Sequence, residues 1–251
     1  MSLSGQGKKQ KKYQYEAQSA SFHILTPREH QSNNQAAYTF AFSKQLSAAI
    51  RNDLTDAQIT FDQLCNTPDA LESLQSRLFE VVHTNMLLAP CSGAFYFLNT
   101  TVNDSLPDKS YSGLYLKYAN IYAENTIHNE VCLFRGFSTI AREKDINLHS
   151  TWQLETLAGS FPEIDKLMSD KKDASSDSYF LTPVYKLPGT WESVRFFCVP
   201  ILDAYGTTIG VCGYEISSLY FSLSLKTLGS GQAHIFGALL TEEGDHYTCL
   251  L

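Results

Sequence analysis

The chain predicts an α+β fold in which helices lie against an antiparallel sheet. Three observations carry that expectation. Apolar residues recur at helical spacing over Ala36–Leu64, strand-like segments dominate after Cys91, and the most strand-like of them form a hairpin over Glu192–Ser217. Helices followed by a run of strands put the helices on an antiparallel sheet.

Residues 1–35 are polar, lack apolar periodicity and read as a solvated tail with a small basic cluster, Lys8-Lys-Gln-Lys-Lys12. From Ala36, the residues Phe42, Leu46, Ile50, Leu54, Ala57, Phe61 and Leu64 recur at spacings of three and four. They make one apolar stripe and predict one long helix to Leu64. Thr67 suits an N-cap and Pro68 the first helical position, so a second helix follows to about Leu88. It turns Leu71, Leu74, Leu78, Val81 and Val82 inward, and Pro90 closes it. Residues 36–90 thus form the helical unit and 91–251 the sheet domain.

Cys91–Asn99 reads as a strand, Asn103–Ser112 as a polar loop, and Gly113–Tyr118 as a second strand with period-two alternation. Glu130–Ile140 fits either element, Trp152–Met168 looks helical, and Ser169–Ser178 is a charged, serine-rich loop. Tyr179–Tyr185 begins the strands that lead through Pro188-Gly-Thr-Trp191 into the hairpin. The hairpin arms are rich in β-branched and aromatic residues, and Asp203-Ala-Tyr-Gly206 supplies a type I turn. Nearly continuous apolar runs imply that both faces are covered, so the hairpin belongs at the centre of the sheet. Pro200 donates nothing to a ladder and should sit at a bulge or the strand's end. A short helix over Ser218–Leu228 and strands around His234–Leu240 and His246–Leu251 complete the chain, with Glu242-Glu243 in a solvated turn between them.

Hydrophobic residues make up 43% of the 251, which supports a sizeable core and excludes global disorder. A net charge of −7 makes a poor non-specific binder of nucleic acid or anionic membrane. No run approaches the roughly 18 apolar residues of a membrane span, and no signal peptide is visible. The six cysteines lack CxxC spacing and read as buried thiols, although Cys198 and Cys212, on facing hairpin arms, could be neighbours.

Four segments carry a resemblance. Val199-Pro-Ile-Leu-Asp-Ala-Tyr-Gly206 and Ile209-Gly-Val-Cys-Gly-Tyr-Glu-Ile-Ser217 resemble the last hairpin of bacterial extracellular Cache domains, the PAS-like ligand sensors of receptors. Ser112-Gly-Leu-Tyr-Leu-Lys117 and Leu148-His-Ser-Thr-Trp152 resemble variants of the same family. The resemblance covers roughly residues 36–228. It implies a PAS-like antiparallel sheet with a long N-terminal helix packed along it, and a small-molecule pocket beside the sheet. It also implies a receptor of the diguanylate cyclase, histidine kinase or chemoreceptor type. The sensor would then face the outside of the cell, with membrane contact only through segments beyond these 251 residues and a weak homodimer through the N-terminal helix.

In amino-acid-binding relatives an acidic residue on the last strand holds the ligand's amino group, and Glu215 stands at that position. The Tyr/Arg/Trp-Tyr signature of those relatives is not intact here, since Trp152 lacks a following Tyr and Arg135 lies upstream of it. The ligand class therefore stays open among amino acids, amines and carboxylates. By burial and charge, Glu215, Arg135 and Arg195 are the candidate ionic contacts; an arginine on a strand can grip a carboxylate with two parallel hydrogen bonds. Alternation puts Arg195 on one strand face with Ser193 and Phe197, and Val194, Phe196 and Cys198 on the other. Tyr115, Trp152, Tyr185 and Trp191 are the candidate aromatic walls.

Catalytic and cofactor chemistry find no foothold: the chain has no GxGxxG, GxxxxGK[ST], GxSxG or HExxH, and its seven histidines show no zinc spacing. A sensor without enzymatic activity, cofactor or metal is the expectation. The alternative is a cytoplasmic PAS- or GAF-like interaction module without a ligand.

Overall fold

The computed structural model describes residues 35–65, 67–102, 109–119, 130–169, 180–220, 240–243 and 246–249. Three helices come first: α1 (Gln35–Ala57), α2 (Phe61–Cys65) and α3 (Pro68–Leu88). Then follow β1 (Gly93–Leu98), β2 (Ser110–Tyr118), β3 (Val131–Arg135), α4 (Ser138–Glu143), β4 (Asn147–Gln153), β5 (Thr156–Leu157) and α5 (Pro162–Ser169). The chain continues through β6 (Phe180–Leu181), β7 (Tyr185–Lys186), β8 (Ser193–Leu202), β9 (Thr208–Ser217), β10 (Leu240–Glu243) and β11 (His246–Cys249).

The main sheet runs β4-β3-β2-β1-β9-β8-β6, with β5 paired to β2 and β7 to β8. Every pairing is antiparallel except that of β3 with β4. The first strand lies between the second and the last long one. Helix α1 packs along β8 and β9, α3 along β1 and β2, and α5 against β9 and β8. This is an α+β, PAS-like fold. Strands β10 and β11 pair with each other in a separate sheet. No helix among the described residues is long and apolar enough to cross a membrane.

The expected single helix over Ala36–Leu64 is two. Phe42, Leu46 and Ile50 are fully buried, each worth about 1.5–3 kcal/mol. The stripe continues, but the backbone does not. Gln58 takes a left-handed φ of 54°, while its N–H reaches Thr55 O and that of Ile59 reaches Leu54 O. Those two bonds close a helix end. Thr60 and Gln63 then bond reciprocally, Thr60 N to Gln63 Oε1 at 2.8 Å and Gln63 N to Thr60 Oγ1 at 3.2 Å, which starts α2. Helix α3 begins at Pro68 as expected, but the Thr67 hydroxyl donates to Gln63 O instead of capping it.

The hairpin stands where the sequence puts it, inside the sheet between β1 and the short β6 and β7. In its turn, Asp203 Oδ1 accepts the N–H groups of Tyr205 and Thr207, each at 2.8 Å, and Gly206 supplies a φ of +80°. Pro200 is neither at the strand's end nor at the irregularity, which falls one residue later between Ile201 and Leu202. It lies beyond the stretch of β8 paired to β6, where β9 is the one strand flanking it among the described residues. Cys198 pairs with Gly213 and Cys212 with Val199, so the two thiols point to opposite faces and are not neighbours. The four cysteines with described side chains, Cys91, Cys132, Cys198 and Cys212, are free and buried.

The expected helix over Trp152–Met168 starts only at Pro162. The residues before it are drawn into strands, β4 alongside β3 and β5 alongside β2, a pairing that local propensity does not encode. Ser110–Ser112 belong to β2, not to a loop, and Glu130–Ile140 divides into β3 and the start of α4. Glu242 and Glu243 lie in β10 rather than in a turn. The tail, the serine-rich loop and most of the segment after Tyr220 lie outside the described residues.

Candidate functional site

The sheet has two differently lined faces. On the helix side, Ala94, Tyr96, Leu114, Leu116 and Tyr214 join the core of α1 and α3. The other face is aromatic, with Phe95, Phe97, Tyr115, Phe134, Phe161 and Phe196 in one buried cluster. Gly93 opens β1 on this face, and its register partners are Lys117 on β2 and Glu215 on β9. A Cβ at Gly93 would lie 2.7 Å from Leu116 O and 3.3 Å from Lys117 Cγ. The missing side chain lets Lys117 and Glu215 meet across β1.

They meet closely. Lys117 Nζ lies 2.6 Å from both Glu215 carboxylate oxygens and 2.9 Å from Glu192 Oε2. Ser92 Oγ donates to Glu215 Oε1 at 2.6 Å, and the Tyr115 hydroxyl donates to Oε2. Lys117 and Glu215 are 1% and 0% exposed, whereas Glu192 is a rim residue with 28% of its side chain exposed. Burial, and next the Glu215 charge, push the Tyr115 phenol well above its usual range, so it stays a donor.

Arg135 reaches the same face through a bulge. Leu116 pairs with Leu133 but Tyr115 pairs with Arg135, so Phe134 and Arg135 both stand opposite Tyr115. Bulges re-aim side chains in this way. The Phe134 and Tyr115 rings lie 5.0 Å apart, and Arg135 Cζ sits 3.8 Å from the Phe134 ring centre. Arg135 Nη1 donates to the carbonyls of Phe134 at 2.7 Å and Thr151 at 3.1 Å. Its Nε is buried without a partner, and no carboxylate among the described residues pairs with it. Desolvation lowers its pKa to about 10, which still leaves it cationic at neutral pH. His149 packs edge-on against Phe134 at 5.0 Å, and its Nδ1 accepts the Thr151 N–H at 3.1 Å. A neutral ring therefore carries its proton on Nε2. Burial and then Lys117 lower its pKa.

Of the residues the sequence singles out, the structure brings Tyr115, Arg135 and Glu215 together. Tyr185 lies on the same face against Phe161 and Phe196, with its hydroxyl buried and unpartnered among the described residues. The rest are elsewhere. Arg195 stands on the helix-side face of β8, opposite Ile216, and donates to Thr182 O at 2.9 Å. Trp152 donates its Nε1–H to Gly136 O at 2.9 Å and packs on the helix-side core. Trp191 is 96% exposed and walls nothing among the described residues. Sequence reasoning missed Ser92, Lys117, His149 and Glu192. Lys117 had a signal, a lysine two residues from Tyr115 on the same face of an otherwise apolar strand. A separate cavity of about 230 Å³ between α1 and β8, bordered by Ser43, Lys44, Arg51 and Pro200, lies on the helix side, away from these charges.

No family model and no curated protein sequence matches the chain. Among solved structures it is similar to the ligand-binding domain of the Campylobacter jejuni chemoreceptor Tlp3 in complex with L-norvaline, at 16% identity and a TM-score of 0.35, covering 87% of this chain and 62% of that one. It is also similar to the sensory domain of that chemoreceptor with isoleucine bound, at 13% identity and a TM-score of 0.30, covering 86% and 65%. The structural neighbours are chemoreceptor sensory domains. The chain spans less than two-thirds of the length of these two structures.

Proposed function

We propose that the chain is the small-molecule-sensing domain of a bacterial signal-transduction receptor, facing the outside of the cell and holding its ligand on the aromatic face of the sheet. One observation supports this above the others. Lys117, Arg135 and Glu215, from three strands, are buried together on the face that α1 does not cover. Stability does not call for them, because a well-packed apolar set of similar volume is often as stable as a buried ion pair. Buried ionisable clusters of this kind mark functional sites. The contacts in this reading are Tyr115, Arg135 and the Lys117–Glu215 pair, with Tyr185 at the aromatic wall.

Strand β9 offers the route outward. Glu215 faces the site, while its neighbour Tyr214 faces α1 and packs on Phe42 with ring centres 5.3 Å apart. A ligand that binds better to one position of α1 than to another biases the helix, and through it a weak homodimer and the output module. Tight binding without that difference shifts nothing. A thermal-shift screen against amino acids, carboxylates, amines and nucleobases tests the proposal. A ligand at a hundred times its Kd adds about 2.7 kcal/mol, or roughly 5–10 °C in a domain of this size. Arg135→Ala should erase that shift. Silence from every class would remove the basis for a small-molecule sensor.

A cytoplasmic interaction module is the second reading, favoured by the four buried, unpaired cysteines. Thiol counting on denatured protein from its native compartment separates the two. Six free thiols favour the cytosol, and any disulfide favours the outside.

A further inference from the structure

We infer that Lys117 fills the place at Glu215 that an incoming ammonium group would take, so that the ligand is an anion held at Arg135 and carries no amine beside its acidic group. This rests on the reading of the aromatic face as a ligand site. A buried carboxylate on such a face is by its chemistry a seat for a cation, but here the seat is taken. Each carboxylate oxygen offers about two acceptor directions. Oε1 receives Ser92 and Lys117, and Oε2 receives Tyr115 and Lys117. The three Lys117 donors are likewise spent, two on Glu215 and one on Glu192. A ligand ammonium would have to expel Lys117 from Glu215 or sit beside it, which buries two like charges together.

Arg135 is in the opposite condition. Its Nη1 is held by two carbonyls, its Nε is buried and unpartnered, and no described carboxylate neutralises it. It is 3% exposed, so water does little for it. Lys117 thus takes both carboxylates, the buried Glu215 and Glu192 at the rim, and Arg135 pairs with neither. A carboxylate matches a guanidinium edge in shape and charge. His149 borders the same Phe134 ring and carries its neutral-form proton on Nε2, which adds a second donor beside Arg135. Lys117 is then a specificity-determining residue, and Gly93 is the gap that admits it.

Matched probes isolate the amine: pyruvate and lactate against L-alanine, and L-leucine against its oxo-acid analogue. Binding is read by calorimetry and thermal shift on the wild type, Arg135→Gln and Lys117→Ala. The wild type is expected to bind the amine-free acids at least about tenfold more tightly than the amino acids, since a site without a partner for a polar group rejects it. Arg135→Gln should lose the acids. Lys117→Ala should reverse the preference, and ethylamine should raise its melting temperature by refilling the vacated position. If Lys117→Ala does not fold, the wild-type preference still decides. Amino acids bound by the wild type as tightly as the matched acids would overturn this inference and leave the sensing role standing. No binding of any probe to any variant would overturn this inference, and the sensing role would then stand or fall on the wider thermal-shift screen. A folded Lys117→Ala that ignores ethylamine would overturn the assignment of Lys117 to an amine position.

Discussion

Lys117→Met is the sharpest test of how the site is held together. Methionine keeps most of the lysine stem, so little cavity opens and the change is chiefly one of charge. It removes the cation whose Nζ lies 2.6, 2.6 and 2.9 Å from three carboxylate oxygens. Glu192 at the rim can turn to water, but Glu215 at 0% exposure cannot. It keeps only two hydroxyl donors, Ser92 and Tyr115, against the desolvation of a full charge. Breaking a buried pair in this way costs about 3–5 kcal/mol, a large part of the 5–15 kcal/mol that holds a typical domain together. Urea denaturation at constant pH reads the loss as a lower midpoint with an unchanged slope. The double variant Lys117→Met with Glu215→Gln should recover roughly 2–3 kcal/mol of it, because a neutral amide still accepts from Tyr115 or Ser92 without a bare charge. A loss below about 1 kcal/mol in the single variant, or no recovery in the double, would refute the account of Lys117 as the counter-ion of a desolvated Glu215.

Three further outcomes are expected. Gly93→Ala should destabilise by about 1–3 kcal/mol in the same urea assay, because the new Cβ would press on the backbone oxygen of Leu116 at 2.7 Å, which cannot swing aside. Cys91, Cys132, Cys198 and Cys212 should resist an aromatic disulfide reagent in the native protein and react on unfolding, since burial raises all four thiols, Cys132 to about 11. His149 should make the fold acid-sensitive. Its folded pKa lies below the ordinary 6.5, so between the two values the unfolded chain binds more protons and acid favours it. Stability is full above about pH 6.5 and declines below it, and His149→Gln should decline less over that window when melts are compared from pH 5 to 8.

Much of the scaffold was legible because its signals are local. Helical spacing over Phe42, Leu46 and Ile50, and strand residues around an Asp-to-Gly turn in the hairpin, both act within a few residues. The misread segments fail for the matching reason. Trp152 and its neighbours became strand because β3 was there to pair with. The helix expected to reach Leu64 stopped at Ala57 because Thr60 and Gln63 bond to each other more specifically than an apolar stripe can indicate.

The site itself divides along the same line. Glu215, Tyr115 and Arg135 could be picked out as charged or aromatic residues inside apolar strands. Their meeting could not, because Lys117 and Glu215 are 98 residues apart in sequence and touch only through the register of two strands on either side of β1. The face that Arg135 occupies depends on a bulge in β3, and a shift of one residue there would send it to the other side of the sheet. Residue by residue, the chain determined which segments are helix or strand and which side chains are able to carry charge. Only the assembled sheet decided that one lysine neutralises the carboxylate while one arginine is left without an anion among the described residues, because pairing register and burial are properties of strands in contact and not of any one segment.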